Sequence, residues 1–336
     1  MSLFFRPSSS RHLVPTQRHP LRGFLYIALA TLQWGIAASL GRAVFTGRMR
    51  IGGEIVGAIN PLLIAQARVT FSCVVLLTIL IARRGVRSLL LPRRDFLTML
   101  LIGTLGMAAS NYFYYLAIQR TNVATAIIVQ YTAPVWVLLY MVGRGLQKPT
   151  LQRIGAVGLA IVGIALAIDL VHGNALRLDA LGVGAALLAA FSFSYYNIAV
   201  HDVLTRHDRW KILLWAALTA SVFWMIVNPP WKIIAAGYSR PQFLFLALFS
   251  VISMLGPFSC YFAGLQHLEP TRAVVTSCLE PVFSILIAAI FLGERVNATQ
   301  VVGIVLVLSA IVLAQLPDRA DPTALDSVRP LVEPIE

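Results

Sequence analysis

The chain has 336 residues, 58% hydrophobic and only 12% charged, with a formal charge of +13 and a mean hydropathy of +0.78. Soluble domains carry roughly 25% charged residues, and this much apolar surface exceeds what one aqueous core buries, so lipid is the expected solvent. The basic residues sit in short segments between apolar runs, where they act as topology signals, and this excludes nucleic acid as a partner.

Residues 1–21 form a polar, basic N-terminal arm expected to be disordered, and the first apolar run after it is too long for a cleaved signal. Ten largely apolar runs of membrane length follow: Gly23–Phe45, Pro61–Ala82, Phe96–Ile118, Asn122–Val142, Gln152–Leu170, Asp179–Val200, Trp210–Ile226, Gln242–Gln266, Pro270–Leu292 and Ala298–Leu316. The predicted fold class is therefore all-α and integral to the membrane. Asn297 followed by Gln300 has the form of a capping box opening the last run. The tail, residues 317–336, is rich in proline and acidic residues and reads as disordered.

Polar groups inside these runs are the candidate functional residues, because a charge at bilayer depth costs roughly 2.5–3.5 kcal/mol on insertion scales. Gln33 and Trp34 fall in the middle of the first run. Arg68 lies about seven residues into the second, roughly 10 Å deep at 1.5 Å per residue. It reads either as a cavity residue holding a substrate carboxylate, which guanidinium geometry matches, or as a packing residue bonded to backbone carbonyls. Asn111 and Tyr114 share a face of the third run at helical spacing. Gln130 stands one turn before Pro134. Tyr195, Tyr196 and Asn197 lie in the sixth run, Tyr261 in the eighth and Ser277 in the ninth.

These residues are cavity-lining, substrate-binding candidates, since small-ligand sites are apolar with a few placed polar groups; tyrosines near run ends also suit the interfacial belt. Glu280 falls at mid-span beside Pro281, where desolvation disfavours the charged carboxylate. It reads either as a proton-coupling site or as part of the Glu-Pro helix break, paired with Arg68. Pro134 and Pro281 each strip an intrahelical bond and are kink or gating candidates. The glycines Gly155, Gly158 and Gly163 are expected at close helix contacts. His201-Asp202 and His207-Asp208 resemble metal ligands but sit beside Arg206 and Arg209, and read as a solvated loop. Cys73, Cys260 and Cys278 lie in apolar runs without paired spacing and read as buried thiols. No metal site and no cofactor are predicted.

The chain also repeats itself. Residues from Ala117 to Val135 and from Gly264 to Val282 align at an offset of 147, which places Met107 on Met254, Tyr114 on Tyr261, Gln119 on Gln266 and Pro134 on Pro281. Five spans per copy is an odd number, so the second copy must cross in the opposite sense, an arrangement suited to alternating access. The expected units are residues 22–170 and 171–316. With both termini cytoplasmic, Lys and Arg number 18 inside and seven outside, the bias expected of that orientation.

The stretch Leu279–Ala314, LEPVFSILIAAIFLGERVNATQVVGIVLVLSAIVLA, resembles the second-repeat signature of EamA-type transporters of the drug/metabolite superfamily. Weaker likenesses run through QYTAPVWVLLYMVG from Gln130, QRIGAVGLAIVGIALA from Gln152, LQWGIAASLGRAVF in the first run and IAQARVTFS around Arg68. Glu294 of the signature is matched only by Gln147 in the first copy. The resemblance implies a bacterial inner-membrane carrier with a central cavity between the halves, peripheral fifth and tenth helices, and outward movement of amino acids or related metabolites. A facilitative pore or a non-transporting membrane protein is the alternative. An enzyme is not expected, since HExxH and GxSxG motifs and clustered carboxylates at depth are missing. A small-molecule substrate and the bilayer are the expected partners, with the oligomeric state left open.

Overall fold

The structure is a computed structural model describing residues 19–45, 50–51, 54–55, 59–121, 123–169, 179–235, 237–292 and 296–316. The expectations for the arm before His19, for the tail from Pro317 and for Glu294 lie outside the described residues.

Apolar helices dominate the fold. They are α1 (Pro20–Phe45), α2 (Pro61–Arg84), α3 (Arg93–Arg120), α4 (Val123–Gln130 continuing as Ala133–Gly143) and α5 (Leu151–Ala167). After these come α6 (Ala180–Val203), α7 (Arg209–Val227), α8 (Arg240–Leu265), α9 (Pro270–Ser277 continuing as Leu279–Leu292) and α10 (Ala298–Gln315). Among the described residues, nine are long and apolar enough to cross a membrane, and α5, at 17 residues, is the shorter tenth apolar helix. A short antiparallel ladder, Arg50–Ile51 with Glu54–Ile55, lies between α1 and α2.

Local chemistry sets the ends. Asn60, Thr150, Asp179 and Asp208 each accept a first-turn N–H, which satisfies donors that an α-helix leaves orphaned. Asn297 and Gln300 form the expected reciprocal box. The starts of α3, α4 and α5, at Arg93, Val123 and Leu151, recur 147 residues later at Arg240, Pro270 and Ala298.

A deeper correspondence was not foreseen. α3 widens into a π-helix over Ile102–Ala108, and α8 does so over Val251–Leu255, at the matching register. Gly106 and Met107 of the first and Ser253 of the second line one cavity.

Packing exchanges elements between the halves. α1 packs against α8 and α9, while α6 packs against α3 and α4. α5 and α10 cross closely at Gly163 and Gly303, where a Cβ on Gly163 would stand 2.8 Å from the Val307 backbone nitrogen. Gly158, expected at the same contact, instead faces open space, because it lies off the α10-facing stripe. The outer surface carries exposed Leu25, Val74, Leu188, Val222, Leu248, Ile290 and Val305, as lipid contact requires. The solvated-loop reading fails for His207. Its Nε2 lies 2.9 Å from the buried Asp95 carboxylate, with Arg206 alongside, because the loop folds back over the start of α3.

Candidate functional site

A cavity of about 990 Å³ opens between the halves. Its walls come from the second half of α1, the start of α2, the second half of α3, the first part of α4, the middle of α6, α8 and α9 and the start of α10. The cavity thus runs from the middle of α6, α8 and α9 toward the end of the bundle where α1 finishes and α2 and α10 begin. At that end Asp169, in a left-handed conformation after α5, receives the Asn297 amide at 2.6 Å.

Trp34, Arg68, Asn111, Tyr114, Gln130, Pro134, Ser277, Glu280 and Pro281 line this cavity. The breaks in α4 and α9, at residues 131–132 and 278, fall one turn before Pro134 and Pro281, which lack the N–H that would carry the helix through. Gln130 and Ser277 thus sit at matching helix ends. Four expected liners lie off the surface. Tyr261 donates to Asn197, and both are fully buried in the core behind the cavity wall. Gln33 turns along α1 to the Leu29 carbonyl and to Cys260. Tyr195 packs into the core because its helical neighbour Tyr196 takes the cavity-facing position.

Arg68 donates to the Ser253 backbone carbonyl at 3.2 Å. That carbonyl is available because Pro257, four residues on, has no N–H to offer it. The expected pairing of Glu280 with Arg68 does not occur among the described residues. Glu280 instead accepts the Tyr131 hydroxyl at 3.2 Å. Three buried polar atoms on the cavity wall, Trp34 Nε1, Tyr196 Oη and Ser253 Oγ, have no hydrogen-bond partner among the described residues.

The opposite end is closed by polar contacts between the halves. Gln147, after α4, donates to the Glu269 carboxylate at 2.8 Å and accepts the Thr271 hydroxyl at 2.8 Å, while Arg153 stands 3.6 Å from Glu269. Both ends of the helical region lie here: Gly23 abuts Leu268, and the Leu316 carbonyl accepts from Gln152 and Arg272. Sequence reasoning missed Tyr131, Ser253 and this latch. The signals available were that Tyr131 aligns with Cys278, and that Gln147 replaces the acidic residue of the second copy.

The EamA-like transporter family matches this chain twice, at residues 21–168 and 180–316. The chain belongs to the EamA-like transporter family. It is a multi-pass inner-membrane transporter, and relatives such as YicL of Salmonella typhimurium and YhbE of Escherichia coli are inner membrane transporters by name. The inner membrane transporter YicL of Salmonella typhimurium is 23% identical over 89% of this chain and 96% of its own. The threonine/homoserine exporter RhtA of Salmonella typhimurium is 25% identical over 89% of this chain and 92% of its own. A solved crystal structure superposes with a TM-score of 0.69 at 18% identity, covering 87% of this chain and 96% of that one. It therefore shares the fold.

Proposed function

We propose that this protein is a secondary transporter exporting small metabolites, amino acids or related compounds, by alternating access through the central cavity. The observation that carries the reading is the asymmetry of the cavity. It is lined by both halves and reaches toward one end, while Gln147, Glu269, Thr271 and Arg153 bind the halves together at the other. The 147-residue recurrence of helix starts and π-segments, the exchange of packing partners and the two family matches support two inverted five-helix repeats, residues 22–170 and 171–316.

The excess of Lys and Arg favours a cytoplasmic position for the latched end, where the helical region begins and ends. The described conformation is then open outward. The threonine/homoserine exporter among the relatives supports amino acids as the first substrates to try. The proposed substrate surface comprises Trp34, Arg68, Asn111, Tyr114, Gln130, Ser277 and Glu280, and the breaks before Pro134 and Pro281 are its hinges. Counterflow in liposomes tests the reading. Preloaded amino acid should drive saturable uptake of labelled amino acid, and flux that rises linearly with concentration would mean a pore.

A further inference from the structure

Arg68 and Glu280 are opposite charges lining one cavity, one from each half of the chain; the further acidic liner, Asp169, receives the Asn297 amide. Neither is repeated. The residues 147 and 148 positions after Arg68 are Trp215 and Ala216, and those the same distances before Glu280 are Ala133 and Thr132. The two charges line the same cavity, yet they form no ion pair with one another among the described residues. Each is held instead by a neutral neighbour: Arg68 by the carbonyl that Pro257 leaves free, and Glu280 by the Tyr131 hydroxyl. Elsewhere charges pair directly, as Arg84 does with Asp208 and Arg206 with Asp202. Holding a cation and an anion apart in a membrane cavity is costly unless something joins them.

We propose that Arg68 and Glu280 are the two poles of one binding site. It takes a small zwitterion by its carboxylate at Arg68 and by its ammonium at Glu280, so that the bound molecule links the two halves. This rests on the transporter reading and adds to it the charge class and orientation of the substrate. Arg68 supplies the planar donor fork that a carboxylate accepts, with Ser253 Oγ and Trp34 Nε1 as unpaired polar atoms in the same wall. Glu280 and Tyr131 supply acceptors for an ammonium. A ligand bridging α2 and α9 favours closing the cavity around it, because only the closed form satisfies both ends at once. On this assignment Glu280 is a substrate ligand, and proton coupling is not required to explain its charge.

The test uses purified wild-type protein in detergent and four parents: threonine, homoserine, methionine and phenylalanine. Each is supplied as the free amino acid, as its N-acetyl derivative and as its amide. At least one free amino acid should raise the melting temperature, while its two single-charge derivatives lose at least tenfold in apparent affinity. Arg68→Gln and Glu280→Gln should each abolish the shift given by the free amino acid. The amide, which has no carboxylate for Arg68, should bind Arg68→Gln at least as well as it binds the wild type, and the N-acetyl derivative should bind Glu280→Gln at least as well as it binds the wild type. A single-charge derivative that stabilises the wild type as strongly as its parent overturns the proposal, and so does a set in which no free amino acid gives a shift. Counterflow of the same compounds separates the two readings. Saturable flux of single-charge derivatives leaves a carrier without this site, whereas binding without flux leaves the site without a carrier.

Discussion

Gln147→Ala probes the latch directly. The substitution removes a hydrogen bond to the Glu269 carboxylate and another from Thr271, each 2.8 Å long. A bond to a charged group contributes about 1.5–3 kcal/mol and a neutral one about 1. Glu269 keeps about a third of its side chain exposed, so water replaces part of the first, and the net loss is about 2 kcal/mol. At about 1.4 kcal/mol per tenfold, the ratio of the two conformations shifts by about 30-fold away from the described one. The assay is labelling of a cysteine placed at the cavity residue Ile127, with the reagent applied from each side of the membrane. Labelling through the cavity mouth should slow in Gln147→Ala, and labelling from the latch side should appear. The double exchange Gln147→Glu with Glu269→Gln reverses the donor and acceptor and should restore the wild-type pattern. Labelling rates within twofold of wild type in Gln147→Ala would show that these contacts do not hold the conformation.

Gly163→Leu should cost several kcal/mol and lower expression and melting temperature sharply, because its Cβ would meet the α10 backbone, while Gly158→Ala should leave both unchanged. Tyr261→Phe leaves Asn197 Oδ1 buried without its donor, so it should destabilise by about 1–3 kcal/mol without changing the KM for transport. Pro257→Ala restores an N–H aimed at the Ser253 carbonyl and displaces Arg68 from it. Affinity for the zwitterion should fall several-fold at nearly constant melting temperature, because a regained helix bond offsets the lost one. Unchanged affinity would mean that this carbonyl does not orient Arg68.

Much of this architecture was legible before any coordinates. Hydropathy locates the helices, because a membrane span must satisfy its own backbone and so runs long and apolar. The repeat is legible because Tyr114, Pro134 and their counterparts are rare in apolar text. Side-chain direction was harder to read. Tyr195 and Tyr196 are adjacent tyrosines in the same apolar context, and Tyr196 is the one that packs on Gly106 of α3 and meets the cavity.

The π-segments show the same limit more sharply. Pro257 marks the one in α8, but its counterpart in the first half is Ser110, and α3 widens without any proline. There the close neighbours are Gly103 against Thr219, where a Cβ would have no room, and Gly106 against Tyr196, where it would fit only if the ring gave way. One half thus reaches the widened turn by losing a hydrogen-bond donor, and the other by letting two helices approach closely. A shared shape built from different residues is invisible to alignment. The cavity depends on that shared shape, whereas its chemistry depends on where the halves differ. Arg68, Tyr131, Gln147 and Glu280 all stand at positions where the repeat breaks its own pattern, so the departures from symmetry, and not the symmetric landmarks, are where substitutions should separate binding from folding.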